Sequence, residues 1–138
     1  MSYYYVKDYR NATYDFTKAI ELKRFDNDAE AYYGRGRAYF ALKDYEQALY
    51  DLNKAIDLKS NYVEAYNVRG QVYYAKGDYE NAISDFSYII RRDRKYAFAY
   101  YMRGSAYRKI GENDLAHEDL QKACELNIDY CKAWSKKR

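Results

Sequence analysis

The chain has 138 residues, a net charge of +3, 49% apolar and 33% charged residues. That is too apolar for a disordered chain and too interrupted by charge for a membrane span. With no proline, 6 glycines, 1 histidine and 2 cysteines, it lacks the turn residues of an all-β fold, the ligands of a multi-histidine or zinc-ribbon centre, and the makings of a disulfide framework.

The N-terminal stretch Met1–Asp8 meets an acid early and has no apolar signal core, and neither end carries a lipidation motif. A cytoplasmic location is expected, with the cysteines reduced. Next, Asp8-Tyr9, Ala12, Phe16 and Ala19-Ile20 fall at helical spacing. From Ala29 onward the chain repeats itself every 34 residues. Arg35-Gly36 returns as Arg69-Gly70 and Arg103-Gly104, Tyr32 as Tyr66 and Tyr100, and Tyr39 as Tyr73 and Tyr107. Ala48 returns as Ala82 and Ala116, and Asp51 as Asp85 and Asp119.

Within each unit Tyr32, Gly36 and Tyr39 share a helical face. A break follows at Ala41–Asp44, Ala75–Asp78 and Lys109–Glu112. Gly77 and Gly111 suit the left-handed residue that ends a helix, and Asp44 and Asp78 suit the N-cap of the next. The run Tyr45, Ala48, Leu49, Leu52, Ala55, Ile56 is a second amphipathic helix. Each unit is thus expected to be two antiparallel helices joined by a short turn.

These residues resemble the tetratricopeptide repeat (TPR) family. Its pattern places aromatics at repeat positions 4 and 11, small residues at 8, 20 and 27, a large apolar residue at 24 and proline at 32, and three units match at 29–62, 63–96 and 97–130. Residues 1–28 read as the second helix of a partial earlier repeat, and 131–138, with Ala133-Trp134, as the start of a further or capping helix. The resemblance implies a single domain over 1–138, an all-α, right-handed superhelical solenoid of antiparallel helix pairs. One helix pair cannot bury its apolar face alone, and stacking neighbours covers it. Position 32 holds Ser60, Arg94 and Ile128, so the second helices are free to run on or fray; Ile89 at position 27 is expected to crowd a helix crossing, Asn113 replaces the aromatic at 17, and Lys43 the turn glycine.

One feature departs from the family throughout. Position 7, usually apolar, is Arg35, Arg69 and Arg103, and position 23 is Asp15, Asp51, Asp85 and Asp119. A charge repeated at a half-buried site needs a partner. Each arginine is therefore expected to pair with a position-23 aspartate of its own or the preceding repeat.

By the same resemblance, the first helices line a groove that takes a peptide or partner helix. Its candidate contacts are Tyr33, Arg37, Phe40, Asn67, Gln71, Tyr74, Phe98, Tyr101, Met102 and Arg108. Exposed Tyr, Phe, Met and Arg are the types that anchor binding surfaces. The family's clamp for chaperone C-terminal carboxylates would need cations and amides at positions that here read Tyr33, Arg37, Asn67, Phe98 and Met102. Only Asn67 fits, which argues against that partner. No phosphate loop, nucleophile elbow or carboxylate pair rises above the repeat, so no enzyme, cofactor or metal is expected. His117 reads as a surface residue, and Cys124 and Cys131 as small buried hydrophobes. The basic clusters Arg91–Lys95 and Lys132 with Lys136–Arg138 read as a solvated turn and tail. Besides protein-partner binding, two readings remain: homo-oligomeric assembly through open repeat ends, and, more weakly, nucleic-acid binding by the basic turns.

Overall fold

Helical spacing in the sequence becomes helix throughout. The computed structural model describes residues 3–21 and 28–132. Among them run α1 (Tyr3–Glu21), α2 (Ala29–Ala41), α3 (Tyr45–Leu58), α4 (Val63–Lys76), α5 (Tyr79–Arg92), α6 (Ala97–Lys109), α7 (Asn113–Leu126) and a 3-10 turn, Ile128–Tyr130. No helix among the described residues is long and apolar enough to cross a membrane. The fold class is all-α, built of helix pairs. Ala133, Trp134 and the basic tail lie outside the described residues.

The chain divides inside α4 into two packed units, residues 1–72 and 73–138. In the first, α1 packs on α2 and α2 on α3. Its core joins Ala48, Leu52, Ala55 and Ile56 of α3 to Tyr62 and to Ala65, Val68 and Val72 of α4. In the second, α5 packs on α6 and α6 on α7, and the 3-10 turn lies against α7. Phe86, Ile89 and Leu120 are fully buried there. Ile89, expected to crowd a crossing, takes a core place, and α5 runs unbroken to Arg92.

Close approach of α2 to α3 and of α6 to α7 depends on position 8. A Cβ on Gly36 would sit 2.9 Å from Leu52 Cγ, and one on Gly104 would sit 3.0 Å from both Asp119 Cβ and Leu120 Cγ. The first helices end as the sequence predicts. Gly77 and Gly111 have φ of 83° and 85°, and Lys43 adopts the same left-handed backbone at 63° without being glycine. Asp44 then accepts from the Gln47 amide and Asp78 from the Asn81 amide, each at 3.4 Å.

The second helices neither run on nor fray, although proline is absent. Lys59, Asp93 and Asn127 leave the helix with the same extended backbone, φ −141°, −143° and −151°. A tight turn then closes from the amides of Tyr62, Tyr96 and Tyr130 to the carbonyls of Lys59, Asp93 and Asn127, at 3.1, 3.2 and 3.0 Å. Asp93 and Asn127 add side-chain bonds from the amides of Lys95 and Asp129, at 3.0 and 2.9 Å. Such Asx turns hold the chain where proline would otherwise set it.

The cysteines correct the sequence reading. Cys124 and Cys131 are not reduced core residues but a disulfide pair, Cα atoms 4.4 Å apart, both half-buried. Two cysteines cannot form a framework, yet the reversal of the chain after α7 brings residues seven apart face to face.

Candidate functional site

The arginine ladder forms within repeats. Arg35 Nε and Nη2 donate to both Asp51 carboxylate oxygens at 2.7 Å, and Arg103 Nε and Nη2 to Asp119 at 2.7 and 2.8 Å. The expected pairing thus holds in two repeats, with the aspartate of the arginine's own repeat. Burial pushes the Asp51 carboxyl up, while the bonds and charge of Arg35 pull it down. On the arginine side, the Asp51 bond raises Arg35 above its ordinary value. Burial works against the Arg103 charge, and the Asp119 bond and charge outweigh it.

A third member escaped the sequence reading. Arg35 Nη1 also reaches Thr17 at 3.1 Å, Arg69 Nη1 reaches Asn53 at 2.9 Å, and Arg103 Nη1 reaches Ser87 at 3.1 Å. Thr17, Asn53 and Ser87 share repeat position 25 of the preceding unit. Tyrosines at positions 4 and 11 flank the guanidinium, with Arg35 5.8 Å from the Tyr32 ring and 6.0 Å from Tyr39, and Arg103 5.9 Å from Tyr100 and 5.7 Å from Tyr107. The ladder occupies the packed side of the first helices and leaves positions 5 and 9 to line the open side.

In residues 1–72 five candidate contacts converge. Tyr33, Arg37 and Phe40 of α2 and Asn67 and Gln71 of α4 line one open hollow of about 600 Å³. Its further walls are Tyr9, Ala12 and Phe16 of α1 with Gly34, Ala38, Ala41 and Val68. A Cβ on Gly34 would meet the far end of the Phe16 ring, which would have to shift to admit it. Arg37 is exposed, its guanidinium 5.5 Å from the Tyr33 ring. Gln71 Nε2 approaches Asn67 Oδ1 at 3.4 Å. Among the described residues, one cation, two carboxamides and several rings line the hollow, with no carboxylate in its walls. Burial raises the Tyr33 phenol; the Arg37 charge opposes that and the Glu64 charge adds to it.

In residues 73–138 the candidates form a row of rings. Phe98 meets Phe86 edge-on at 6.3 Å and Tyr101 at 6.4 Å, and Tyr101 stacks on Tyr130 at 4.8 Å. Tyr74 packs edge-on against Tyr79 at 5.2 Å. Burial raises the Tyr74 phenol; the neighbouring Tyr79 and Tyr101 add to this and the Arg108 charge opposes it. Met102 is half-buried on α6. Position 12 serves the turn as well as the open side, for Phe40 contacts Tyr45 at 6.1 Å as Tyr74 contacts Tyr79. In the last repeat that pair reads Arg108 and Asn113, which line a hollow of about 360 Å³ with Asp114, His117 and Leu120. His117 is half-buried rather than a plain surface residue.

Sequence reasoning also missed the tyrosine at position 34. Tyr62 packs on Tyr33 at 4.9 Å, as Tyr130 packs on Tyr101. The signal was present: Tyr62, Tyr96 and Tyr130 recur at the repeat step.

Comparison with known proteins agrees with this architecture. A TPR repeat profile matches residues 36–77 and a tetratricopeptide repeat profile matches 67–130. A crystal structure of MamA superposes with a TM-score of 0.81 at 31% identity, covering 90% of this chain and 71% of that one. MamA 41-end from Desulfovibrio magneticus RS-1 gives 0.80 at 25% identity, covering 96% and 83%. The first TPR of Spaghetti (RPAP3) bound to HSP90 peptide SRMEEVD shares the fold at 23% identity, TM-score 0.74, covering 79% and 89%. No curated protein matches the chain. Together, the two repeat profiles and a relative 31% identical over 90% of the chain place it in a known group: it belongs to the tetratricopeptide repeat family.

Proposed function

We propose that the chain is a non-catalytic protein-interaction module, a single domain with repeats at 29–62, 63–96 and 97–130, that holds an extended segment of a partner protein. The observation that carries this reading is the hollow of residues 1–72, where Tyr33, Arg37, Phe40, Asn67 and Gln71 converge without a carboxylate among them. Such walls suit a segment with an acidic side chain for Arg37, a backbone for the two carboxamides, and an aromatic or branched side chain for Phe16 and Phe40. The ring row at Phe98 and Tyr101 offers a second apolar contact. A TPR structure bound to a peptide, at 23% identity, lends the fold-level support. The peptide proposed here differs from that one in kind, because Tyr33, Arg37, Phe98 and Met102 stand where the clamp needs lysine, asparagine, lysine and arginine.

Display of a random peptide library against the full chain tests the reading. Enriched peptides should pair an acid with an apolar residue, and Arg37→Glu should weaken them by about tenfold or more, as losing a charge-assisted bond implies. Circular dichroism must show the variant's helicity intact. No enrichment, or equal retention by both proteins, would overturn the proposal. Self-association seen by light scattering in place of peptide binding would move it to homo-oligomeric assembly.

A further inference from the structure

The Cys124–Cys131 bond stands where the other repeats have apolar residues. By the repeat step Cys124 corresponds to Ile56 and Ile90, and Cys131 to Val63 and Ala97. In the first unit Ile56 belongs to the core cluster that also holds Tyr62. At the end of α7 a covalent bond occupies that place. It ties the last turn of α7 to the residue that follows the 3-10 turn, which carries Tyr130 onto Tyr101 with the rings 4.8 Å apart and 24° from parallel.

Among the described residues the hydrogen bonds of that turn are local, from the amides of Tyr130 and Asp129 to Asn127 and from the Cys131 amide to the Ile128 carbonyl. Its one aliphatic side chain, Ile128, is 82% exposed. Both cysteines are half-buried rather than sealed in the core.

We propose that the Cys124–Cys131 disulfide is a redox-operated latch, opened by a dithiol reductant, that holds Tyr130 over Tyr101 when closed and uncovers it when open. In opening, one reductant thiolate attacks a cysteine sulfur and the S–S bond breaks, leaving a mixed disulfide and one cysteine thiolate. The reductant's second thiolate displaces the remaining cysteine and closes the reductant's own disulfide. The two cysteines gain two electrons and two protons, and the dithiol loses the same. An oxidised dithiol reverses the exchange. The link to partner binding rests on Tyr101 belonging to the binding face proposed above; the latch itself does not.

Hydrogen exchange on the full chain tests the latch, comparing protein oxidised with glutathione disulfide and protein reduced with dithiothreitol. Alkylation and mass measurement should show no reactive thiol in the first and two in the second. Amides of Tyr130 and Cys131 should exchange roughly tenfold or more faster after reduction, as freeing so short a loop implies, while α2 and α3 stay unchanged. The double variant Cys124→Ile, Cys131→Val, which restores the residues of the first repeat, should exchange alike with and without dithiothreitol. Equal exchange in oxidised and reduced wild type, or two reactive thiols after oxidation, would overturn the proposal. A selected peptide that binds both redox forms equally would overturn the coupling to binding. Absence of peptide binding in either form counts against the binding face alone, since exchange is read without ligand.

Discussion

Arg35 holds a charge in a packed interior by dividing it among several neighbours. Asp51 takes two of its hydrogen bonds and Thr17 a third, and Tyr32 and Tyr39 flank the guanidinium. Asp51 is wholly buried and the Arg35 side chain only 14% exposed, so removing one partner strands the other away from water. Asp51→Ala should therefore cost about 3 kcal/mol, read as a lower urea midpoint at unchanged slope. Replacing both, as Arg35→Met with Asp51→Leu, should recover most of the loss, because no uncompensated charge remains. A single variant as stable as the double would refute this. The pair itself was legible in the sequence, since the same two charged residues return at the same step. Its third member was not, because Thr17, Asn53 and Ser87 share an oxygen acceptor and no residue identity.

At the scale of the element, the ends of helices carry more information than their interiors. Asp44 and Asp78 announce the starts of α3 and α5, and the backbone agrees. Stopping is less legible. The proline that would mark the end of each second helix is missing, yet Asp93 and Asn127 turn the chain with their own side chains. Lys43 ends α2 in a left-handed conformation that costs a residue with a Cβ about 1 kcal/mol. Lys43→Gly should raise stability by roughly 0.5 kcal/mol, the relieved strain being offset in part by the freer unfolded chain. A thermal midpoint that falls instead would show that the lysine side chain contributes more than its backbone costs. The Tyr62 and Tyr130 rings over Tyr33 and Tyr101 were readable only by asking which residue recurs at the end of the unit rather than on its helical faces.

For the molecule as a whole, tyrosine sets the alkaline limit. Burial pushes the Tyr62 phenol to about 12, with Glu30 and Tyr33 adding to the shift, and burial also raises Tyr33 and Tyr74. An unfolded tyrosine ionises near pH 10, roughly. Between that pH and the folded value the unfolded chain releases protons that the folded chain keeps, so stability falls as pH rises. The urea midpoint should decline from about pH 10 to 12, and Tyr62→Phe should flatten that decline. An unchanged slope in the variant would assign the loss to other tyrosines. The all-α repeat fold was legible at this scale because identities recur in register over most of the chain. The disulfide was not, since composition rules out a framework but says nothing of one local bridge. The arginine bridges have a further consequence for how such a chain can be rearranged. A guanidinium only donates, so each bridge to position 25 points one way, from a first helix back to an acceptor on the helix before it. Duplicating or deleting a whole 34-residue unit keeps every donor facing an acceptor. Removing one residue inside a helix turns the acceptor away by about 100° and strands the donor. Copy number is therefore free to change while register is not, and chimaeras joined at the inter-repeat turns should fold where those joined within helices fail.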